Sequence, residues 1–349
     1  MLMQRLVSFA IALTMVVIVL GAYTRLTDAG LGCPDWPGCY GFMHVPKAHH
    51  ADIAASRFPE RPLEPHKARN EMVHRYFAGT LGLVIAAIFL LSIVQQRKLV
   101  LFPTALLLLV VFQAALGMWT VTLNLFPLIV VAHLLGGFSL LTLLWIYRRQ
   151  LQPSVNITIA APRRLKLLGT VSCLILVMQI GLGGWTSANY AAMACAELPV
   201  CHSGWTSQLN FSEAFDLHLG HDNYEFGVMS KEARQTIHIT HRFGAGLTLL
   251  VVGAFAIKLW RFSRGLAATD AFTYRRHAQW VLLLLVVQFV LGVLNIWWLL
   301  PLPNAVAHNF VAANLLAATV LARFQLRRMV SQQTAHSATE LYSTGRSPA

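Results

Sequence analysis

Long apolar stretches alternate with polar ones along the whole chain. Eight windows of about 20 residues have almost no charge, and this is the length that a helix needs to cross the hydrocarbon core of a bilayer. Because backbone N–H and C=O groups must pair internally in lipid, each window predicts a transmembrane helix. The predicted spans are residues 4–24, 71–95, 100–121, 127–147, 165–186, 235–260, 277–299 and 303–324.

The second half of the chain repeats the first at fixed offsets. In each half a glycine lies 12 residues before a cysteine, and a later glycine lies 16 residues before a histidine. Self-similarity of this kind indicates two copies of one structural unit. The matched pairs are Gly21 with Gly183, Cys33 with Cys195, Cys39 with Cys201, His74 with His241, Gly117 with Gly292, and His133 with His308.

The spans and the repeat together predict an all-α integral membrane protein with eight transmembrane helices, arranged as two pseudo-symmetric four-helix bundles. Parallel repeats of this kind are related by an axis near the membrane normal. The N-terminal half is residues 1–150 with a long loop at 25–70, and the C-terminal half is residues 151–328 with a long loop at 187–234. Residues 329–349 are rich in Ser, Thr and Gln and are predicted to be a disordered tail.

The composition supports a membrane protein and explains the high positive charge. The 349 residues are 56% hydrophobic and 12% charged, whereas soluble domains have about 25% charged residues. A net charge of +13 would suggest a nucleic-acid partner in a soluble protein. Here the basic residues occupy the short loops and the tail, which the positive-inside rule places in the cytoplasm with both termini. No nucleic-acid partner is therefore predicted, and the long loops are predicted to face the periplasm or exterior. The basic positions are Arg97, Lys98, Arg148, Arg149, Arg163, Arg164, Lys166, Lys258, Arg261, Arg264, Arg275, Arg276, Arg323, Arg327 and Arg328.

Four histidines lie about one to two turns inside the outer ends of the even-numbered spans: His74, His133, His241 and His308. A polar side chain at membrane depth is costly and is therefore a functional candidate. A single such histidine is more often a hydrogen-bonded packing residue, but two repeat-matched pairs make that explanation a poor one. Neutral imidazole is a strong iron ligand, and two facing imidazoles give six-coordinate haem. We therefore predict that His74 and His133 hold one haem and that His241 and His308 hold another.

An arginine directly follows the earlier histidine of each half. Arg75 follows His74, and Arg242 follows His241. Haem propionates near the outer surface need cationic partners, so both arginines are predicted to bind them. The alternative is a snorkelling arginine that has no partner.

The two halves differ at a position beside these histidines. Glu71 lies three residues before His74, and His238 lies three residues before His241, so each shares a helical face with its histidine. A carboxylate beside one haem and an imidazole beside the other breaks the symmetry where chemistry would occur. Glu71 is therefore the candidate catalytic residue, which could stabilise positive charge or accept a proton. The alternative is the preference of helix N-termini for acidic residues.

Each long loop contains a Cys-x5-Cys pair with a proline inside it. The pairs are Cys33 with Cys39 and Cys195 with Cys201. On the oxidising side of the membrane such pairs form disulfides, which are structural or redox-active. Metal binding is the main rival, because histidines share both loops: His44, His49, His50, His202, His218 and His221.

These motifs together resemble the haem A synthase family over about residues 5–325. The individual motifs are common, but their combination at these offsets is specific. The likeness lies in residues 21–31 (Gly-Ala-Tyr-Thr-Arg-Leu-Thr-x-x-Gly-Leu), both cysteine pairs, Glu71-x-x-His74-Arg75, His238-x-x-His241-Arg242, His133 and His308.

The resemblance implies an activity and its cofactor. Members of the family oxidise the C8 methyl of haem O to a formyl group by successive hydroxylations and supply haem A to terminal oxidases. By matched position, His74 and His133 would flank the substrate haem with Glu71 as the catalytic residue. His241 and His308 would ligate a haem b cofactor, and the Cys33–Cys39 pair is linked in the family to function, including electron delivery.

The resemblance also implies a setting for the chain. It is expected in the bacterial inner membrane, in contact with the lipid bilayer. Its expected partners are a haem O synthase that supplies the substrate, an electron acceptor of unidentified class, and a second copy of the chain.

Two other functions remain open from the residues alone. Two bis-histidine haems equally suit a membrane cytochrome b that passes electrons to a quinone or a periplasmic partner. They also suit a haem-binding assembly or delivery protein. The difference between Glu71 and His238 favours the enzyme, because a carrier has less need for unequal surroundings at its two haems.

Overall fold

The computed structural model describes residues 1–96, 101–152, 161–201, 203–266 and 268–343. Within these residues the chain forms ten α-helices, and its only β-type pairing is an isolated bridge between Cys39 and Phe42. The helices are α1 Leu2–Leu26, α2 Ala51–Arg57, α3 Pro65–Gln96, α4 Leu101–Thr122, α5 Pro127–Gln150, α6 Arg163–Ala188, α7 Phe211–Ala214, α8 Lys231–Ser263, α9 Ala268–Trp297 and α10 Leu302–Ser343.

The eight predicted spans are confirmed. In the described part of the chain, eight helices are long and apolar enough to cross a membrane, so the chain is a multi-pass membrane protein. Three of them begin at least four residues earlier than predicted: α3 begins at Pro65 rather than at residue 71, α8 at Lys231 rather than at residue 235, and α9 at Ala268 rather than at residue 277. Their first turns are polar, so hydropathy alone does not distinguish them from loop. His74 and His241 consequently lie about two and a half turns inside their helices, deeper than predicted.

The predicted disorder of residues 329–349 stays a prediction. Helix α10 extends to Ser343, and residues 331–343 contain neither glycine nor proline. Residues 344–349 lie outside the described residues, as do Arg97 and Lys98 of the first basic loop.

The long helices contact one another in two closed rings. In the N-terminal half, α1 packs on α3, α3 on α4, α4 on α5, and α5 on α1. In the C-terminal half the same order holds for α6, α8, α9 and α10. This pattern is consistent with two four-helix bundles, and it leaves α3 diagonally opposite α5, and α8 diagonally opposite α10.

The contacts between the halves follow the same repeat. The repeat relates α1 to α6, α3 to α8, α4 to α9 and α5 to α10. It therefore relates the contact between α5 and α6 to the contact between α10 and α1, and both contacts are present. The third contact, α5 with α10, maps onto itself. The helix contacts therefore have two-fold pseudo-symmetry, with α5 and α10 beside the axis.

The repeat also extends to the tight turns that precede α5 and α10. Residues 124–125 have φ angles of 47° and 63°, and residues 299–300 have φ angles of 56° and 62°. Two successive non-glycine residues in the left-handed region are uncommon, so their presence in both turns is a specific match. His133 and His308 each follow the second of these residues by eight positions. The turns thus place the later histidines at equal depth.

The short helix α7 fastens the second long loop to the C-terminal bundle. The Glu213 carboxylate accepts hydrogen bonds of 2.6 Å from the backbone N–H and from the hydroxyl of Ser230. Ser230 in turn caps the start of α8. The Trp185 indole N–H donates to the Ala214 carbonyl at 2.8 Å, which ties α7 to the end of α6.

Acid is expected to loosen this attachment. The hydrogen bonds from the Ser230 hydroxyl and N–H hold the pKa of Glu213 below the usual range of a glutamate. A lowered pKa in the folded state means that the carboxylate stabilises the loop above the ordinary glutamate pKa, and that this stability is lost as the pH falls through the lowered value. We expect hydrogen exchange in residues 211–214, corrected for its intrinsic pH dependence, to rise over that range. The Glu213→Gln variant should exchange fast at every pH. Equal pH dependence in both proteins would contradict the assignment.

Candidate haem sites

The two histidine pairs occupy equivalent places in the two bundles. His74 is on α3 and His133 on α5, at opposite corners of the N-terminal ring. His241 on α8 and His308 on α10 are at opposite corners of the C-terminal ring. The members of a pair thus oppose each other across the bundle rather than between adjacent helices, as a ligand between two axial imidazoles requires.

A glycine on the neighbouring helix lies against each of these histidines. A Cβ added at Gly21 would lie 2.9 Å from Cε1 of His74, and one added at Gly183 would lie 3.1 Å from Cε1 of His241. The later histidines have the same arrangement: the added Cβ would be 3.5 Å from His133 at Gly117 and 3.2 Å from His308 at Gly292. Four glycines at matched positions therefore give the four imidazoles room to adopt their orientations.

A larger side chain in place of one of these glycines should displace the imidazole beside it. We expect Gly183→Val to push His241 aside and to lower the haem content of the purified protein by at least about 10-fold, because an axial ligand must be held in a defined orientation. The matched control is Gly181→Val, two residues away on α6, where an added Cβ meets nothing within 4 Å. Haem is measured as pyridine haemochrome per protein in a chain whose N-terminal pair has been removed. Equal haem content in the two variants would contradict a role of Gly183 in seating His241.

Glu71 connects the first histidine pair to the first disulfide loop. Its carboxylate is 5% exposed and lies one turn before His74. Oε1 forms a 2.5 Å ion pair with Arg75, and Oε2 accepts a 2.8 Å hydrogen bond from the backbone N–H of Cys33. Both oxygens are therefore held in place, with the ordered disulfide ring on one side and the histidine on the other.

The two arginines bind the carbonyl groups of the disulfide loops. Arg75 donates to the carbonyl of Asp35 at 2.9 Å and to that of Gly38 at 2.5 Å. Arg242 donates to the carbonyls of Cys195 and Glu197. The guanidinium groups thus fasten each loop to the helix that contains the first histidine. Their predicted contact with haem propionates stays a prediction.

His238 does not replace Glu71 in this network. It is buried, and among the described residues its Nδ1 has no hydrogen-bond partner. With no carboxylate at this position, Arg242 donates instead to the Cys195 carbonyl. The asymmetry that the sequence indicates is therefore a difference in bonding: the Glu71 carboxylate binds both Arg75 and the backbone of the first disulfide loop, whereas Arg242 donates only to carbonyl groups of the second disulfide loop.

Both cysteine pairs form disulfides, Cys33 with Cys39 and Cys195 with Cys201. All four cysteines are buried, at 0 to 5% exposure. Bonded sulfurs are not free to bind a metal, and no group of three metal-binding side chains is present among the residues that the structure describes; His202 lies outside them. The burial favours the structural interpretation of the disulfides.

Haem fits this set of residues. The alternative for each histidine is a hydrogen-bonded packing role, yet the buried Nδ1 atoms of His74 and His133 have no hydrogen-bond partner in the described part of the chain. Imidazoles that oppose each other across a bundle, each beside a glycine, match the requirements of bis-histidine haem ligation. His74 with His133, and His241 with His308, are the residues that would hold the iron.

Comparison with known proteins identifies the family of the chain. A model of the COX15-CtaA family, described as cytochrome oxidase assembly protein, matches residues 4–320. The chain belongs to the COX15-CtaA family. Within it, the chain is similar to the heme A synthase of Shewanella oneidensis, with 44% identity over 307 residues that cover 87% of this chain and 90% of that protein. Heme A synthases of a Chelativorans species and of Mesorhizobium japonicum are 27% and 25% identical, over 86% and 84% of this chain and 84% and 81% of their own lengths.

Two kinds of residue in this COX15-CtaA chain were not assigned a role from the sequence. The first is Gly21 and Gly183, which serve as repeat markers but also face His74 and His241. The second is a set of glutamines, of which Gln179 and Gln288 contact histidines of the C-terminal pair. Both could have been identified from the sequence, because each of these glycines and glutamines lies a fixed number of residues from a position that the repeat matches.

Proposed function

We propose that this chain is a haem A synthase that oxidises the C8 methyl of haem O to a formyl group by successive hydroxylations. The observation that supports this most directly is the unequal pair of otherwise matched histidine sites. Both have opposed imidazoles, but only the N-terminal one has a buried carboxylate, Glu71, one turn from a ligand. The relatives named heme A synthase, similar over most of both chains, support the same function.

The proposal assigns different tasks to the two halves. His74 and His133 flank the substrate haem O, and His241 and His308 ligate a haem b cofactor. Haem b, when bound, supplies one-electron redox chemistry. Its bis-histidine ligation would leave no open position on the iron. That arrangement suits electron transfer in the C-terminal half and leaves the oxidation of the methyl group to the half with Glu71.

Glu71 is the proposed catalytic residue. It can accept a proton from the reacting methyl group or stabilise positive charge that develops there. Arg75 and the Cys33 N–H hold both carboxylate oxygens, so the group is preorganised and need not move during the reaction. Arg75, Arg242 and His238 are the proposed neighbours of the haem propionates at the outer ends of the bundles.

The proposal also includes the setting of the reaction. The even number of spans and the basic residues of the short loops support a bacterial inner-membrane protein with both termini in the cytoplasm. Haem O partitions into lipid through its apolar tail, so delivery from a haem O synthase within the bilayer is the proposed route. Oxidation of the methyl group also requires a redox partner, proposed as an electron acceptor, and a homo-oligomer is the proposed assembly.

Chromatography of extracted haems tests the function. The chain is expressed with a source of haem O in a host that lacks haem A, and the haems are extracted and separated. Appearance of haem A, absent from the empty-vector control, is the expected result. Only haem b and haem O in a preparation that has incorporated haem would overturn the proposal. Two permanent haems would then indicate a cytochrome b, and one labile haem a delivery protein.

A further inference from the structure

Three of the four histidine-facing glycines have a glutamine four residues earlier on the same helix. The positions are Gln113 before Gly117, Gln179 before Gly183, and Gln288 before Gly292. The fourth position, before Gly21, is Val17. Residues four apart lie on one helical face, so each of these positions is next to a histidine of a pair.

In the C-terminal half both glutamine amides contact the histidines. The Gln179 amide nitrogen lies 3.0 Å from Nδ1 of His241 and 2.9 Å from the carbonyl oxygen of the same residue. The Gln288 amide nitrogen lies 3.3 Å from Nδ1 and 3.1 Å from Nε2 of His308. Only the Gln179 contact is confined to Nδ1 and leaves Nε2 available to a ligand, because the Gln288 amide nitrogen lies nearer to Nε2 of His308 than to Nδ1.

In the N-terminal half neither histidine has such a contact. Val17 has no polar side-chain group, and Nδ1 of His74 has no hydrogen-bond partner among the described residues. Gln113 is present, but its amide packs onto Gly136, where an added Cβ would overlap it. The matching residue of the C-terminal half is Val311, so the Gln288 amide cannot take the same position.

The amide contacts matter because the second ring nitrogen sets the orientation and basicity of an iron-bound imidazole. A histidine that binds iron through Nε2 has its proton on Nδ1 and donates it to an acceptor. The Oε1 atoms of Gln179 and Gln288 are buried without a hydrogen-bond partner among the described residues. Rotation of the Gln179 amide by half a turn would bring its oxygen to Nδ1–H, in exchange for the hydrogen bond that its nitrogen donates to the His241 carbonyl.

We propose that Gln179 is a positioning residue that retains the haem of the C-terminal half. It fixes His241 in the orientation that binds iron. Val17, at the matching position of the N-terminal half, provides no amide, so His74 lacks this side-chain partner and the haem of that half can leave. The difference gives one haem that stays and one that exchanges, which a synthase needs for turnover. This inference rests on the proposed function.

The test removes the amide beside His241 in the C-terminal half and adds an amide beside His74 in the N-terminal half. Gln179→Met keeps the length of the side chain and removes the hydrogen bond; it is made in a chain whose N-terminal haem is removed by His74→Ala together with His133→Ala. Val17→Gln adds an amide beside His74; it is made in a chain whose C-terminal haem is removed by His241→Ala together with His308→Ala. The readouts are the rate of haem transfer to apomyoglobin and the midpoint potential of the remaining haem.

Loss of the contact to a ligating histidine typically costs about 10–100-fold in affinity. We therefore expect Gln179→Met to release haem at least about 10-fold faster, with a raised midpoint potential because the imidazole becomes a weaker donor. Val17→Gln should slow release from the N-terminal half by a similar factor. The control is Leu176→Met, a volume-conserving change in the core of α6, which should alter neither readout.

Release rates and potentials within two-fold of the parent chains in both variants would overturn the inference. The two variants change the rate in opposite directions, so a general loss of stability cannot produce both results. A parent chain that binds no haem in either half would contradict the proposed function instead. The two failures are therefore distinguishable.

Discussion

Replacing His241 with alanine is expected to remove the low-spin haem of the C-terminal half and to abolish formation of haem A. His241 opposes His308 across its bundle, and Gly183 and Gln179 surround its ring. A six-coordinate iron that loses one of two axial imidazoles becomes high-spin and is held by a single bond. The reduced absorption spectrum of the purified protein should therefore lose its sharp low-spin α band, and the extracted haems should include haem O but no haem A.

His277 provides a matched control for this variant. It is a histidine on α9 that belongs to neither pair. His277→Ala should leave the low-spin spectrum and the haem A yield unchanged. An unaltered low-spin signal in His241→Ala, in a chain that lacks the N-terminal pair, would show that His241 does not ligate a haem.

Replacing Glu71 with glutamine is expected to lower the rate of haem A formation by about 100- to 10,000-fold, the usual contribution of a positioned acid or base. Glutamine keeps one acceptor oxygen, which can still accept a hydrogen bond from the Cys33 N–H and hold the loop, while its NH2 group replaces the oxygen that pairs with Arg75. Arg75 keeps its carbonyl acceptors in the loop, which limits the loss in the free energy of unfolding to less than the about 3–5 kcal/mol of a broken buried ion pair. The rate and the thermal midpoint of one preparation measure both effects.

A second substitution separates catalysis from structure at this position. Glu71→Ala removes both hydrogen-bond acceptors and leaves the Cys33 N–H and part of Arg75 unpaired, so it should lose stability as well as activity. Glu64→Gln, at an exposed carboxylate that pairs with Lys67, serves as the control and should change neither. Full activity in Glu71→Gln together with inactivity in Glu71→Ala would show that Glu71 only holds the disulfide loop.

Much of this architecture follows from the sequence because its signals are local and repeated. Hydropathy predicts all eight spans, and the constant offsets predict which histidines and cysteines form pairs. The early starts of α3, α8 and α9 were missed because hydropathy identifies the part of a helix that lies in lipid, whereas residues 65–70, 231–234 and 268–276 are helical but more polar.

The contacts of the arginines could not be predicted in the same way. Arg75 and Arg242 donate to carbonyls about 40 residues earlier in the chain. Every residue has a backbone carbonyl, so the sequence does not indicate which of them accepts a hydrogen bond. The opposed placement of His74 and His133 also depends on the order of helices in the ring, which spans alone do not determine. The glutamine positions were predictable in principle, because a single offset from the glycines identifies three glutamines and one valine.

The self-mapping contact between α5 and α10 has a consequence for the origin of the chain. An interface that two equivalent surfaces form with each other is the interface of a symmetric homodimer. A four-helix ancestor with one histidine pair could have dimerised through the same surface, and duplication and fusion of its gene would have preserved every contact between the halves. Fusion also lets the two copies mutate independently. Glu71 opposite His238, and Val17 opposite Gln179, are then substitutions that a homodimer could never have confined to one subunit.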